Sequence, residues 1–197
     1  MVYSISYMDN SIQKQLGMEH SCPTPTPSST PSSTPNSTDY KLYDKWSLWA
    51  HLPHDTNWTF ESYIKILTFN SVHAIIMLLE TIPDEMITNC MLFIMRDGIK
   101  PMWEDPKNRS GGCFSYKINN KNVSSIWKNL SYSLVGESLT QNENVRSCIN
   151  GITISPKKNF CIVKIWLSGC NYQNPDVISS SLGITSQGCL FKTHISD

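Results

Sequence analysis

The chain has 197 residues, 40% of them hydrophobic, which is enough for one ordinary domain with a sizeable apolar core. Lys and Arg together number 16, as do Asp and Glu, so the formal net charge is zero. A protein that follows a long stretch of phosphate backbone usually carries a basic excess. Any nucleic acid bound by this chain is therefore expected to be held at a few positions rather than along a groove.

Seven cysteines form no C-x-x-C pair, and their odd number disfavours a disulfide framework or a structural zinc site. His51 and His54 lack a third ligand at the usual spacing, so neither a metal ion nor another cofactor is predicted. The chain begins with no leader pattern, and its longest apolar run, residues 74–79, is too short to cross a bilayer. We expect a monomer without membrane contact in the cytoplasm, with the nucleus left open as a second location.

The composition changes sharply near residue 39. Residues 21–38 read SCPTPTPSSTPSSTPNST, and so much Ser, Thr and Pro cannot bury enough apolar surface to fold. The sequence therefore predicts a disordered tail over residues 1–39 and a folded domain over residues 40–197. Apolar residues among the first positions leave a short docking segment open as an alternative reading of the tail.

The first predicted elements lie before Pro83. Aromatic and aliphatic residues predict strands at Tyr40–Leu52 and Phe60–Phe69. Ser71 is a predicted helix cap, because its side chain can accept a backbone N–H of the first turn. The helix that follows is predicted to end before Pro83 and to carry apolar residues at helical spacing. Those residues are Val72, Ile75, Ile76 and Leu79.

Four more strands and two helices complete the predicted domain. The strands are Met91–Met95, Gly112–Ile118, Gly151–Ser155 and Phe160–Leu167. Ser124 is predicted to cap a helix that stops at Gly136, and Asp176–Leu182 is predicted to be a short last helix. Because several connections read as hairpins, the pattern predicts an α+β fold with a mainly antiparallel sheet and helices on one face.

Two of the six tryptophans lie outside apolar periodic segments. Trp58 is in the polar run HDTNWT, and Trp103 is in KPMWED. One interpretation is that each loop folds back and packs its own indole. The other is that the two indoles clamp a flat ligand, because a base stacked on an aromatic side chain gains about 1–3 kcal/mol.

A carboxylate beside one indole makes a positively charged guanine a candidate ligand. Each ring face adds about 0.5–2 kcal/mol of cation–π attraction for a charged base such as N7-methylguanine. The two oxygens of Glu104 can accept the N1–H and N2–H groups of guanine. Glu104 directly follows Trp103 and Pro101 stiffens the loop, so one loop can present the ring and the carboxylate together.

Three groups of residues resemble the signature of eukaryotic translation initiation factor 4E, the family that binds the 5′ cap of messenger RNA. The groups are Asp97–Asp105 with Gly111 and Gly112, Trp46–Trp49, and Trp127 followed by Leu134–Glu137. Their order and approximate spacing agree with the family from about Tyr40 to Trp166. The resemblance implies a curved, mainly antiparallel sheet of about eight strands with helices packed on its convex face.

The resemblance also implies a role for each candidate site residue. Trp58 and Trp103 match the indoles that stack on the 7-methylguanine base, and Glu104 matches the carboxylate that reads its edge. Trp166 matches the residue that lies against the N7-methyl group. Phe114 stands at a core position where the family usually has a Trp.

The segment that holds the cap phosphates departs from the family pattern. Ser155 stands about where the family has an Arg, while Lys157 matches a family lysine. Lys164 precedes Trp166 by two positions, so on a strand the two share a face. We predict phosphate contacts from Lys157, Lys158 and Lys164, with a simply solvated turn as the alternative for Lys158. The chain after Trp166 is short, so the family's C-terminal loop over the cap is expected to be reduced.

The helical face departs as well. In the family it binds a helix from a scaffold initiation factor, 4G, or from a 4E-binding repressor. Val72 matches the family residue, whereas Ile76, Lys128 and Tyr132 replace a Trp and two Leu. A partner helix in a groove is predicted, with an altered motif. The alternative is that Val72 and Ile76 are ordinary core residues.

The leading functional prediction is a protein that binds capped messenger RNA and recruits it for translation initiation. One alternative is a repressor that occupies the cap without recruitment, and another is a scaffold with weak cap affinity. An enzyme acting on capped nucleotides would need a general base, a nucleophile or metal carboxylates near the phosphates. The lysine-bearing turn supplies none of these, so no enzymatic activity is predicted.

Overall fold

A computed structural model of the chain describes residues 39–179 and 182–195, and the predicted tail lies outside them except for Asp39. Within this part of the chain, seven strands form one sheet. The strands are β1 (Lys41–His51), β2 (Tyr63–Ser71), β3 (Met91–Arg96), β4 (Gly112–Asn119), β5 (Ile149–Pro156), β6 (Phe160–Leu167) and β7 (Leu190–Thr193).

The sheet runs in the order β2-β1-β3-β5-β6-β4-β7, and every neighbouring pair is antiparallel. This confirms the predicted antiparallel α+β fold, with seven described strands where about eight were expected. Strand β7 was not predicted, because it is short and lies at the sheet edge, where only one side chain of its four, Phe191, packs on the core. Consecutive strands β3 and β4 are not neighbours, so the sheet brings distant parts of the chain together.

Within the described residues, five α-helices accompany the sheet. They are α1 (Val72–Thr81), α2 (Asp84–Asn89), α3 (Pro106–Arg109), α4 (Val123–Val135) and α5 (Glu143–Cys148). Helix α1 has the predicted cap, since Ser71 Oγ accepts the N–H of Ala74 at 3.3 Å. Its buried side is formed by Ile75, Leu78 and Leu79, which pack with the apolar side of α4 against the sheet.

The predicted cap of α4 is wrong. A 3₁₀ turn over Asn120–Asn122 precedes the helix, which begins at Val123 and therefore places Ser124 inside its first turn. The side chain of Asn119 accepts the N–H of Lys121 at 3.0 Å and begins the coil earlier than predicted. The predicted stop is confirmed, because the N–H of Gly136 donates to Tyr132 O as the chain leaves the helix.

The predicted last helix, Asp176–Leu182, is replaced by a 3₁₀ turn over Pro175–Val177. The side chain of Asn174 accepts the N–H of Asp176 at 3.0 Å and starts this turn. Ile178 follows in an extended conformation, so the turn does not continue as a helix, and residues 180 and 181 lie outside the described part of the chain.

Alternation along the strands divides the sheet into a helix-covered face and an opposite face, called here the open face. On β1, Trp46, Leu48 and Ala50 belong to the large core under the helices. Trp49 points the other way into a second, smaller apolar cluster. That cluster consists of Trp49, Phe93, Met95, Ile99 and Trp166. The candidate site is built on this open face.

Candidate functional site

The structure separates the six tryptophans into two classes. Four are at most 8% exposed, whereas Trp58 is 54% exposed and Trp103 is 46% exposed. The loops therefore do not pack their own indoles into the protein. Two half-exposed indoles, each on a loop that borders the open face, are available to a ligand.

Trp58 lies on the connection between β1 and β2. Asp55 Oδ1 accepts the N–H of Asn57 at 2.8 Å, and Asn57 Oδ1 accepts the N–H of Thr59 at 2.9 Å. These side-chain turns fix the backbone on both sides of the indole. The indole stacks on His51, with ring centroids 4.2 Å apart and planes 4° from parallel.

Trp103 lies on the connection between β3 and α3, which Asp105 and Asn108 hold in shape. Asp105 accepts the N–H groups of Lys100, at 2.9 Å, and of Lys107, at 2.8 Å. Asn108 is fully buried and donates to Lys100 O at 3.0 Å and to Met102 O at 2.9 Å. Asp105 before Pro106 is a readable helix-start signal, but the role of Asn108 depends on contacts across the loop.

The two tryptophan loops meet. Lys100 Nζ lies 4.3 Å from the centroid of the Phe60 ring, so the Trp103 loop contacts the segment that follows Trp58. Burial and the negative charge of Glu104 together raise the pKa of Tyr63, the first residue of β2. The exposed carboxylate of Glu104 is thus close enough to the Trp58 side of the face to act on it electrostatically.

Trp166 forms part of the floor of the open face and is 7% exposed. Its Nε1–H donates to Thr153 Oγ1 at 2.7 Å, which fixes the orientation of the ring. His194 lies against the same ring, with centroids 4.8 Å apart. The Nδ1–H of His194 donates to Asn108 O at 2.7 Å, because a carbonyl oxygen can only accept. Sequence reasoning missed both supports of Trp166, since they depend on strand register and on β7.

The surroundings of His194 disfavour its charged form. Burial lowers the pKa of His194, an effect aided by the charge of Lys164 and opposed by the hydrogen bond to Asn108. The imidazole contacts Asn108 on one side and the Trp166 ring on the other.

The three candidate phosphate lysines occupy different places. Lys164 is half-buried on β6, where Val163 and Ile165 face the helix-covered core, so Lys164 shares the open face with Trp166. Lys157 and Lys158 are exposed in the β5–β6 turn. That turn begins at Lys157, four residues or about 13 Å along the strand from Thr153, the register partner of Lys164. Ser155, at the position of the absent Arg, is 5% exposed on β5.

The predicted partner face lies on α1 and α4. Val72 is 37% exposed and Ile76 is 43% exposed, so neither is an ordinary core residue. Lys128 on α4 forms an ion pair with Glu80 on α1 at 3.3 Å, and Tyr132 is half-buried near the same carboxylate. Val72 also lines a cavity of about 650 Å³ with the start of β1 and the loop after α4.

An ion cluster closes one end of that cavity. The Arg96 guanidinium pairs with Asp44 and with Glu137, the latter at 2.8 Å, and its Nε–H donates to Ile149 O at 2.7 Å. The guanidinium carbon also lies 4.7 Å from the Trp46 ring centroid. Arg96 therefore ties together strands β1, β3 and β5 and the loop after α4.

Within residues 39–179 and 182–195, no group of three or more His, Cys, Asp and Glu side chains is arranged to hold a metal ion. The helices of the same part of the chain are too short or too polar for any of them to cross a membrane.

Residues 41–195 match the family model described as eukaryotic initiation factor 4E. The chain belongs to this family. The match covers the whole described sheet, from the start of β1 to the residues after β7.

Curated relatives in the 4E family are similar over part of their length. The initiation factor 4E of Candida albicans is 27% identical over 143 residues, which are 67% of this chain and 66% of the relative. The initiation factor 4E-1 of Caenorhabditis elegans is 29% identical over 139 residues, which are 67% of this chain and 64% of the relative. A homologue from Acanthamoeba polyphaga mimivirus is 44% identical over 62 residues, 32% of this chain and 23% of the relative. The matches span less than two thirds of these relatives.

Solved structures of the 4E family share the fold. Schistosome initiation factor 4E complexed with m7GpppG and 4E-BP has a TM-score of 0.62 and 25% identity, over 68% of this chain and 75% of that chain. Ascaris suum initiation factor 4E-3 in complex with m7G cap has a TM-score of 0.70 at 19% identity, over 81% of this chain and 94% of that chain. Because its sequence identity is only 19%, the match to the Ascaris suum protein shows a shared fold and nothing more.

Proposed function

We propose that the open face binds the 7-methylguanosine cap of messenger RNA between Trp58 and Trp103. The observation that carries the proposal is the exposure of these two indoles, when the other four tryptophans of the chain are buried. A stacked base gains about 1–3 kcal/mol per aromatic contact, and its positive charge adds a cation–π attraction to each ring.

Glu104 gives the proposed site its choice of base. Its exposed carboxylate follows Trp103 directly, on a loop whose backbone Asp105 and Asn108 hold in place before a ligand arrives. A carboxylate that accepts N1–H and N2–H selects guanine, and N7-methylation makes N1–H a better donor. Trp166, fixed by Thr153, is proposed to lie against the methyl group.

The phosphates are proposed to lie along Lys164 of β6 and the two lysines of the β5–β6 turn. Lys164 shares the open face with Trp166, and Lys157 and Lys158 extend the positive charge into solvent at the hairpin turn. With three proposed phosphate contacts, binding should depend less on salt than that of a protein that follows a long stretch of phosphate backbone. The proposed activity is binding without catalysis, in the cytoplasm, where capped messages enter translation.

A fluorescence titration tests the proposed function. The full chain is titrated with 7-methylguanosine triphosphate and, as the control, with unmethylated GTP. We expect saturable quenching of tryptophan emission by the methylated ligand at concentrations where GTP has little effect. Equal responses to both ligands, or none, would refute cap recognition.

We also propose that the helical face binds a partner helix, from a scaffold initiation factor or a 4E-binding repressor. Exposed Val72 and Ile76 beside a cavity of about 650 Å³ support this proposal, because exposed apolar side chains on a helix favour a helix-in-groove contact. Binding of a peptide helix from a 4E-binding repressor should be abolished in Ile76→Asp, while cap binding is retained. A variant that binds the peptide as well as the natural chain would exclude this face.

A further inference from the structure

His51 lies directly behind Trp58. It is the last residue of β1 and is 2% exposed, whereas Trp58 is 54% exposed. The two rings are stacked, with centroids 4.2 Å apart and an interplanar angle of 4°. One face of the indole is therefore covered by imidazole, and the opposite face is the one left for a ligand.

The imidazole is itself fixed from two directions. Its Nε2 lies 2.8 Å from Asn57 O, and because a carbonyl can only accept, Nε2 carries the proton of this hydrogen bond. Tyr63 meets the ring edge-on, with centroids 5.2 Å apart, and Phe93 meets Tyr63 in the same way at 5.5 Å. An aromatic column thus runs from the cluster on the sheet to the exposed indole.

We propose that His51 is a positioning residue for the cap site, which fixes the plane of Trp58 before the base arrives. The inference rests on the proposed clamp of Trp58 and Trp103. A half-exposed indole on a loop loses side-chain freedom when a base stacks on it, and that loss weakens binding. With His51 beneath it and Asn57 held by the same imidazole, Trp58 has already lost that freedom in the unbound protein.

The experiment replaces the flat ring and then restores it. His51→Leu fills the space with a side chain that cannot stack on the indole. 7-Methylguanosine triphosphate should then bind about threefold to tenfold more weakly, because one aromatic pair is lost. His51→Phe restores a flat ring, so its affinity should lie within about twofold of the natural chain. His73→Ala, at an exposed position on α1, is the matched control and should leave the affinity unchanged.

A double-mutant cycle shows whether His51 acts through Trp58. In a Trp58→Ala background, His51→Leu should produce no further loss, because the ring that it positions is gone. An equal loss with and without Trp58 would overturn the inference, and so would full affinity in His51→Leu. Thermal unfolding of each variant identifies a temperature at which all of them are folded.

The outcomes separate the inference from the proposed function. If the natural chain does not prefer the methylated ligand to GTP, the proposed function fails and the inference fails with it. If the natural chain shows that preference and His51→Leu binds equally well, only the inference fails.

Discussion

Trp103→Ala should separate cap binding from folding. Trp103 is 46% exposed, so about half of its side chain leaves water when the protein folds. A buried aromatic covers about 150–250 Å², so at about 25 cal/mol per Å² the substitution should lower the free energy of unfolding by at most about 2–3 kcal/mol. A domain of ordinary stability stays folded after such a loss.

The same substitution should nearly abolish cap recognition. Removal of one indole removes one stacking contact, about 1–3 kcal/mol, and one cation–π contact of about 0.5–2 kcal/mol. Together these correspond to a loss of affinity between about tenfold and a few thousandfold.

Two assays on one preparation test this prediction. The affinity for 7-methylguanosine triphosphate is measured by competition with a fluorescent cap analogue. Tryptophan quenching is not used, because the variant lacks one of the two indoles whose emission reports binding. The stability comes from urea unfolding. Trp46→Ala is the contrasting control, because Trp46 is fully buried and its loss should lower the free energy of unfolding by about 3–5 kcal/mol. An affinity within twofold of the natural value in folded Trp103→Ala would refute the clamp.

Four further predictions concern the site, the fold and the tail. Glu104→Gln should erase the preference for 7-methylguanine over other bases without lowering the melting temperature. An amide has one acceptor and one donor group, so it cannot accept both N–H groups of guanine; retained selectivity would show that another residue recognises the base. Arg96→Ala should lower the free energy of unfolding in urea by about 2–4 kcal/mol, because it leaves the largely buried carboxylate of Glu137 without its partner; a loss below about 1 kcal/mol would contradict this. Deletion of residues 1–39 should leave cap affinity and melting temperature nearly unchanged, and a large loss of affinity would place part of the site in the tail. Because the folded state lowers the pKa of His194, the unfolded state binds its proton more tightly; stability should therefore fall as the pH drops below about 6.5, the ordinary pKa of histidine, and thermal melts of His194→Gln should show a smaller fall.

The exposed tryptophans of the candidate site were the residues that the sequence predicted best. Trp58 and Trp103 stand in polar runs without strand or helix periodicity, and the structure leaves both half exposed. Trp166 lies on a strand, where successive side chains point to opposite faces of the sheet. Its placement on the same face as Lys164, two residues earlier, therefore followed from the sequence. Which residues touch these rings did not follow, because His51 and Thr153 reach them through tertiary contacts rather than sequence spacing.

The errors in the predicted fold have local causes. Ser124 has the chemistry of a cap, but a turn of asparagines starts the coil before it, so the helix begins at Val123. Strand β7 spans only four residues, too few for an alternating pattern to stand out. Its position in the sheet nevertheless brings His194 to the floor of the site. A short edge strand can thus matter to function without a readable signal of its own.

The strand order has a consequence for how the chain folds. Strands β2, β1 and β3 are adjacent and can pair early, but Leu92 of β3 pairs with Ile154 of β5, about 60 residues later. Until β5 is made, β3 is an unpaired edge with the apolar sequence MLFIM, which can pair with another chain. Closing so long a loop before its contacts form slows folding. The pairing of β3 with β5 should therefore set the folding rate. Before that pairing forms, the free edge of β3 is where a nascent chain of this protein is most prone to aggregate.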